Sequence, residues 1–259
     1  MTGLRRTWAA GESTLGVWMT SDSPANAEIV GDAGFDYVNI DMQHGFADYT
    51  SVVDMMRALH PSATSITCRV PWNEPGIIGR VLDAGAMGVI VPMVNTVEQA
   101  ERAVAACRYA PDGARSFGPV RAARVNGPDY SSRANAEVAC IPMIETTEAL
   151  AHLDDILDVP GIDAVYVGPA DLSLTLGLAP LGDHDDAVFD GALTSIVAAC
   201  DRRGIVAGIH ANPRIARKRL DQGFRMVTVT SDLQALASGL GDGLAAGRGT
   251  APADGPSLY

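Results

Sequence analysis

Eight apolar, β-branched runs punctuate this chain, and each is followed by a helical pattern. They are Leu15–Trp18, Tyr37–Asp41, Ser65–Val70, Gly88–Val91, Ala139–Ile144, Ala164–Val167, Ile205–Ile209 and Met226–Thr230. Helices are expected to start near Pro24, Asp48, Glu74, Thr96, Thr146, Asp186, Pro213 and Asp232. Ser23 before Pro24 and Asn212 before Pro213 supply start signals. Strands that are apolar almost without interruption are buried on both faces, as in a parallel sheet wrapped by its crossover helices. Eight such units in 259 residues predict a (β/α)8 TIM barrel forming a single α/β domain over residues 1–246. An open, doubly wound sheet is the competing arrangement. The Gly/Ala/Pro-rich stretch 247–259 is expected to be a disordered tail.

Composition narrows the partners. A formal net charge of −12 argues against nucleic acid or an anionic membrane. Cys68, Cys107, Cys140 and Cys200 are scattered without a CxxC pair and read as buried free thiols of a reducing compartment. No apolar run is long enough to span a bilayer, and the opening Met-Thr-Gly-Leu-Arg-Arg has no signal-peptide core. The expected location is the cytoplasm.

Two acids stand where apolar strands run out: Glu145 after Ala-Cys-Ile-Pro-Met-Ile, and Asp171 after Ala-Val-Tyr-Val-Gly-Pro-Ala. One crossover separates them, so their strands are expected to be parallel neighbours, about 4.8 Å apart. Paired carboxylates at the carboxyl ends of barrel strands make half of a hard-cation site. Capping of the following helix is an equal alternative, and Thr-Thr-Glu after Ile144-Glu145 suits it. The turn Gly168-Pro169-Ala170-Asp171 opens a short helix whose backbone N–H groups suit a carboxylate.

Further candidates follow the same logic. His44, beside Gly45 after the second strand, is either a general base or a solvated loop residue. Arg69 ends the third strand and must bind an anion or pair with Asp41, because a bare buried cation costs too much. The long segment 108–136, rich in Arg, Gly and Pro, is expected over the carboxyl face as a substrate loop, or else as a floppy insertion. Its Arg115, Arg121 and Arg124 are then candidates to read a distal, acidic or polyhydroxylated part of a substrate, or to pair with acids of a neighbouring chain. Lys218 is the only lysine and sits in the helical run Arg-Lys-Arg, so no inward strand lysine exists for Schiff-base chemistry. Carbon–carbon cleavage by this chain would need a metal as electron sink. No GxGxxG, P-loop or nucleophile elbow is present.

Taken together, the segments Gly34 to Gly45, Arg69-Val-Pro-Trp-Asn-Glu-Pro-Gly, Asp83 to Met93, Ile141-Pro-Met-Ile-Glu145-Thr and Tyr166-Val-Gly-Pro-Ala-Asp171-Leu-Ser resemble the HpcH/HpaI class II aldolases. The resemblance implies a metal-dependent pyruvate aldolase that cleaves 4-hydroxy-2-oxo acids to a 2-oxo acid and an aldehyde. It also implies a homo-oligomer, a hexamer built from dimers that exchange their last helix. Glu145 and Asp171 would bind Mg²⁺ or Mn²⁺, with Co²⁺ a further candidate; His44 would be the base; Arg69 would stabilise the enolate. Backbone N–H groups at Ala170 and Asp171 would hold the substrate carboxylate, and Trp18 would line the entrance. Asp83 matches an acid that raises the basicity of the catalytic histidine. The residue pattern, however, puts Asp83 at the far end of the third crossover helix, away from His44 of the same chain. Either the helix lies elsewhere or the contact crosses a subunit boundary. Met143 departs from members that carry Gln two residues before the metal-binding Glu, and cannot replace its hydrogen bond. A CoA-ester lyase of the citrate-lyase β-subunit type, and a non-catalytic barrel subunit, are the alternatives.

Overall fold

Alternation along each strand decides the architecture. Two buried sets emerge from one wall: Val38, Ile40, Cys68, Val89, Val91, Val165, Val167 and Ile209 belong to the large cluster under the helices. Tyr37, Ile90, Ala139, Ile141, Ala164, Tyr166, Val206 and Met226 belong to a second cluster inside. Successive side chains point to opposite faces, so a strand sealed on both sides must be apolar throughout.

The computed structural model describes residues 3–250. Its strands are β1 (Thr14–Met19), β2 (Tyr37–Asp41), β3 (Ser65–Arg69), β4 (Gly88–Val91), β5 (Ala139–Pro142), β6 (Ala164–Val167), β7 (Val206–His210) and β8 (Met226–Ser231). The helices are α1 (Leu4–Ala9), α2 (Pro24–Asp32), α3 (Tyr49–Leu59), α4 (Pro75–Ala84), α5 (Val97–Cys107), α6 (Val120–Asn126), α7 (Tyr130–Glu137), α8 (Thr147–Ala151), α9 (Leu153–Leu157), α10 (Pro169–Thr175), α11 (Ala187–Asp201), α12 (Ala216–Asp221) and α13 (Asp232–Gly247). The strands form one parallel sheet in the order β5-β4-β3-β2-β1-β8-β7-β6. A parallel bridge between Met143 and Tyr166 joins β5 to β6 and closes the ring. The (β/α)8 barrel is therefore the architecture, and the open sheet is excluded. Helix α13 extends to Gly247, inside the stretch expected as a tail, and residues 251–259 lie outside the described residues. No described helix is long and apolar enough to cross a membrane.

Two tyrosines cross the barrel interior and need room. The Tyr37 and Tyr166 hydroxyls both meet the Thr228 hydroxyl, at 2.8 and 2.6 Å. Gly16 makes space for the first ring, since a methyl group there would lie 2.2 Å from it. Gly208 does the same for Tyr166, with a 2.8 Å approach. At the amino end, Leu4 and Trp8 of α1 close the barrel, and the Trp8 indole donates to Thr14 Oγ1 at 3.1 Å.

Segment 108–136 corrects an expectation. It follows α5 and precedes β5, so it lies at the amino ends of the strands, opposite the carboxyl face. Arg108 donates to the Val138 and Gly161 carbonyls and to Asp163, which also pairs with Arg5 at 2.8 Å. Arg115 is buried against Asp83 and the Tyr130 hydroxyl. The arginines brace the base of the barrel.

Gly16→Ala is expected to lower stability by about 1–3 kcal/mol through overpacking against Tyr37. Gly79→Ala, inside α4 with nothing within 4 Å, should raise it by about 0.4–1 kcal/mol. Denaturant midpoints at constant slope would check both, and a neutral Gly16→Ala would contradict the packing account.

Candidate active site

At the carboxyl ends of the strands lies a cavity of about 350 Å³. Trp18, His44, Arg69, Met143, Tyr166, the 168–171 turn, His210, Asn212 and Gln234 are among its lining residues. Asp41, last residue of β2, organises one side. Its buried carboxylate accepts Arg69 Nε and Nη2 at 2.9 and 2.5 Å and the Trp18 indole N–H at 3.1 Å. The backbone N–H groups of Gln43 and His44 add bonds of 3.0 and 3.3 Å. Burial pushes the Asp41 pKa up, but the Arg69 hydrogen bonds and charge, with Trp18 and Gln43, outweigh it and hold the group below its ordinary value. Arg69 stacks on Trp18, its guanidinium 5.0 Å from the ring centre. Salt bridge and cavity residue are thus one arrangement: Arg69 pairs with Asp41 and still lines the cavity.

Glu145 lies on the opposite side, and the capping alternative falls. The Thr146 hydroxyl accepts the Ala149 N–H at 3.0 Å and caps α8, which frees Glu145. Its Oε1 instead accepts the Met93 N–H at 2.8 Å. Met93 has φ of 55°, a left-handed conformation costing about 1–3 kcal/mol in a non-glycine residue. Oε2 abuts Gly168, where a methyl group would sit 2.3 Å away, so only glycine fits. Glu145 is 2% exposed, and this burial is the main force raising its pKa to about 7. The Met93 N–H opposes the rise, the charge of Asp171 adds to it, and Arg69 opposes it.

A buried, poorly satisfied carboxylate beside a second carboxylate is the donor chemistry that a divalent cation relieves. Among the described residues no group of three or more His, Cys, Asp or Glu side chains could share one metal ion. Glu145 and Asp171 would therefore leave most coordination positions to water and substrate oxygens, as Mg²⁺ and Mn²⁺ tolerate. The residues fit such an ion.

Trp18, His44, Arg69, Gly168, Pro169, Ala170 and Asp171 all line the cavity. Arg121 does not: it donates to the Ala84 and Met56 carbonyls, at the carboxyl ends of α4 and α3, on the amino face of the barrel. Asp83 sits in the last turn of α4, bound to Arg115 at 2.7 Å, on that same face and not beside His44 of its own chain. Residue reasoning missed His210, Asn212 and Gln234, and treated Asp41 only as a possible salt-bridge partner. Extending the seventh strand by one residue, with inward parity from Val206, would have found His210.

Known proteins sharpen these features. The family model described as HpcH/HpaI aldolase/citrate lyase matches residues 14–238. The chain belongs to this family. A hydroxypyruvate/pyruvate aldolase from Rhizorhabdus wittichii is 38% identical over 239 residues, covering 92% of this chain and 95% of the relative. A 4-hydroxy-2-oxo-heptane-1,7-dioate aldolase from Salmonella paratyphi B is 38% identical, covering 89% and 88%. The crystal structure of a family member from Burkholderia cenocepacia superposes with a TM-score of 0.88 at 33% identity, covering 95% and 98%. The chain is an enzyme of the aldolase type, a carbon–carbon lyase.

Glu145 makes a pH prediction. The folded protein holds a proton on it up to about 7, whereas an unfolded glutamate releases it near the ordinary 4.5. In chelator, its contribution to stability is present below pH 4.5 and lost as pH rises towards 7. Glu145→Gln should remove that loss, so the variant gains on wild type across this interval. Parallel melting curves of the two would contradict the raised pKa.

Proposed function

We propose that the chain is a divalent-metal-dependent aldolase that reversibly cleaves a 4-hydroxy-2-oxo acid to pyruvate, or a close 2-oxo acid, and an aldehyde. The observation that carries this is Asp171 in the wall of a cavity that also holds Arg69 and His44, with the buried Glu145 close behind Gly168. Glu145 and Asp171 would hold Mg²⁺ or Mn²⁺. When bound, the ion polarises the 2-oxo group and takes up charge that develops on its oxygen. The N–H groups of Ala170 and Asp171, at the start of α10, receive the substrate carboxylate. His44 removes the 4-hydroxyl proton, the C3–C4 bond breaks, and its electron pair passes into the enolate. Arg69, fixed by Asp41, donates to the enolate oxygen before C3 is reprotonated.

A CoA-ester lyase finds less support. Among the described residues the only Arg or Lys lining the cavity is Arg69, already bound to Asp41, which leaves little for the phosphates of CoA. The intact Glu145, Asp171, Arg69 and His44 set argues against a non-catalytic barrel. We place the enzyme in the cytoplasm, on the support of four buried free cysteines. We also propose a homo-oligomer, hexameric as the family resemblance implies. Leu236, Leu240 and Leu244 are exposed at four-residue spacing on α13, as an exchanged last helix requires. In that assembly Asp83 would act on His44 of a neighbouring subunit.

EDTA, Glu145→Ala or Asp171→Ala should abolish pyruvate release with the fold intact, and Mn²⁺ should restore only the chelated wild type. Full activity in metal-free protein would sink the metal assignment. Arg69→Ala should cost about 10²–10³-fold in both cleavage and pyruvate methyl proton exchange, because both pass through the enolate. His44→Ala should cost about 10²–10⁴-fold in cleavage but retain part of the exchange. Equal losses in both reactions for both variants would mean that the two roles are not divided this way.

A further inference from the structure

The cavity has two unlike walls. One carries Asp171 with Glu145 behind Gly168, facing Arg69 and His44, and is absorbed by the 2-oxo acid. The other lies at the ends of β7, β8 and β1 and carries His210, Asn212 and Gln234 beside Trp18. His210 ends β7, and the alternation that turns Val206 inward and Ile209 outward turns His210 inward. Its ring meets Trp18 edge-on, 5.2 Å between centres. Among the described residues neither ring nitrogen of His210 has a hydrogen-bond partner, and the Gln234 side chain has none. The His210 ring and the Gln234 amide therefore line this space unpaired, while Asn212 Oδ1 accepts the Arg214 N–H.

The charge of that wall is equally informative. Burial, then the Arg69 cation, push the His210 pKa down to about 4 against a weaker pull from Asp41. The ring is neutral near pH 7, with one nitrogen to donate and one to accept. Arg69 is spent on Asp41 in two hydrogen bonds. The free N–H groups of Thr20 and Ser21 after β1 are already taken by the Asp232 carboxylate, at 2.8 and 3.2 Å. Arg115 and Arg121 lie on the far face of the barrel. An anionic group against this wall would lose water and meet, among the described lining residues, no cation except Arg69, which Asp41 already engages, whereas a hydroxyl would satisfy donors and acceptors that are otherwise bare.

Resting on the aldolase reading above, we propose that His210, with Gln234, is a specificity residue that hydrogen-bonds a hydroxyl of the aldehyde half of the substrate. The preferred aldehyde is then short, uncharged and hydroxylated. A heptanedioate substrate cleaved between C3 and C4 would instead leave a four-carbon aldehyde ending in a carboxylate. The neutral wall separates the two.

The test is aldol addition of pyruvate by the Mn²⁺-loaded enzyme to glycolaldehyde, propanal and succinic semialdehyde. Glycolaldehyde and propanal have the same number of heavy atoms and differ in one hydroxyl. Wild type should favour glycolaldehyde over propanal in kcat/KM by about ten- to hundredfold. His210→Leu should collapse that ratio towards one, and His210→Asn should recover part of it. Pyruvate methyl exchange, which needs no aldehyde, should fall far less than glycolaldehyde addition in His210→Leu. An unchanged ratio, equal loss on both aldehydes, or succinic semialdehyde as the best wild-type acceptor would each overturn the assignment. Absence of both exchange and addition in wild type would overturn the aldolase reading itself, and this proposal with it.

Discussion

The carboxylate of Asp41, at the end of β2, gathers donors from the two flanking strands and from the loop that follows it. Trp18 comes from β1, Arg69 from β3, and the N–H groups of Gln43 and His44 from the turn after β2. Without that carboxylate, Arg69 would be a buried cation with no counter-charge, a loss of about 3–5 kcal/mol for a broken buried pair. The loop carrying His44 would also lose the acceptor that anchors its first turn. One side chain thus fixes the backbone at His44, the guanidinium of Arg69 and the ring of Trp18.

Much of this was legible because strand boundaries follow local chemistry. Tyr37–Asp41, Gly88–Val91 and Ala164–Val167 match the observed strands end to end, and Ser23, Thr96 and Thr146 cap where capping chemistry expects them. The seventh crossover was less clear: Asn212 accepts the Arg214 N–H in a turn, and the helix proper begins only at Ala216. Segment 108–136 was misplaced for a topological reason. It follows a helix and not a strand, so right-handed βα alternation delivers it to the amino face, whatever its composition suggests. Its arginines read as partners of a substrate or of a neighbouring chain's acids, whereas Arg108, Arg115 and Arg121 bind carboxylates and carbonyls of their own chain. His210 was hidden because an apolar run ends, by composition, one residue before it does by hydrogen bonding.

The barrel interior explains why a polar site can sit on so small a core. Gly16 and Gly208 give up side chains so that Tyr37 and Tyr166 can fill the middle and share Thr228. The Trp18 ring stacks on Tyr166 at 5.4 Å and forms the floor of the cavity above them. Precision at the site then rests on aromatic packing beneath it as well as on hydrogen bonds around it.

Asp41 and Glu145 show how one barrel gives two buried carboxylates opposite behaviour. Both lie at strand ends and both are almost fully buried. Asp41 receives five donors, two of them from a cation, and stays ionised. Glu145 receives one among the described residues, from the strained Met93 amide, and has Asp171 for a neighbour. The first is finished as a structural anchor; the second keeps unmet demand for positive charge. Environments that push two like groups apart in this way assign their roles. The cation proposed above fits the Glu145 side, where Asp171 adds negative charge and the one bound donor is a backbone amide. The wall at His210 carries no such demand, which is why the proposed uncharged half of the substrate suits it.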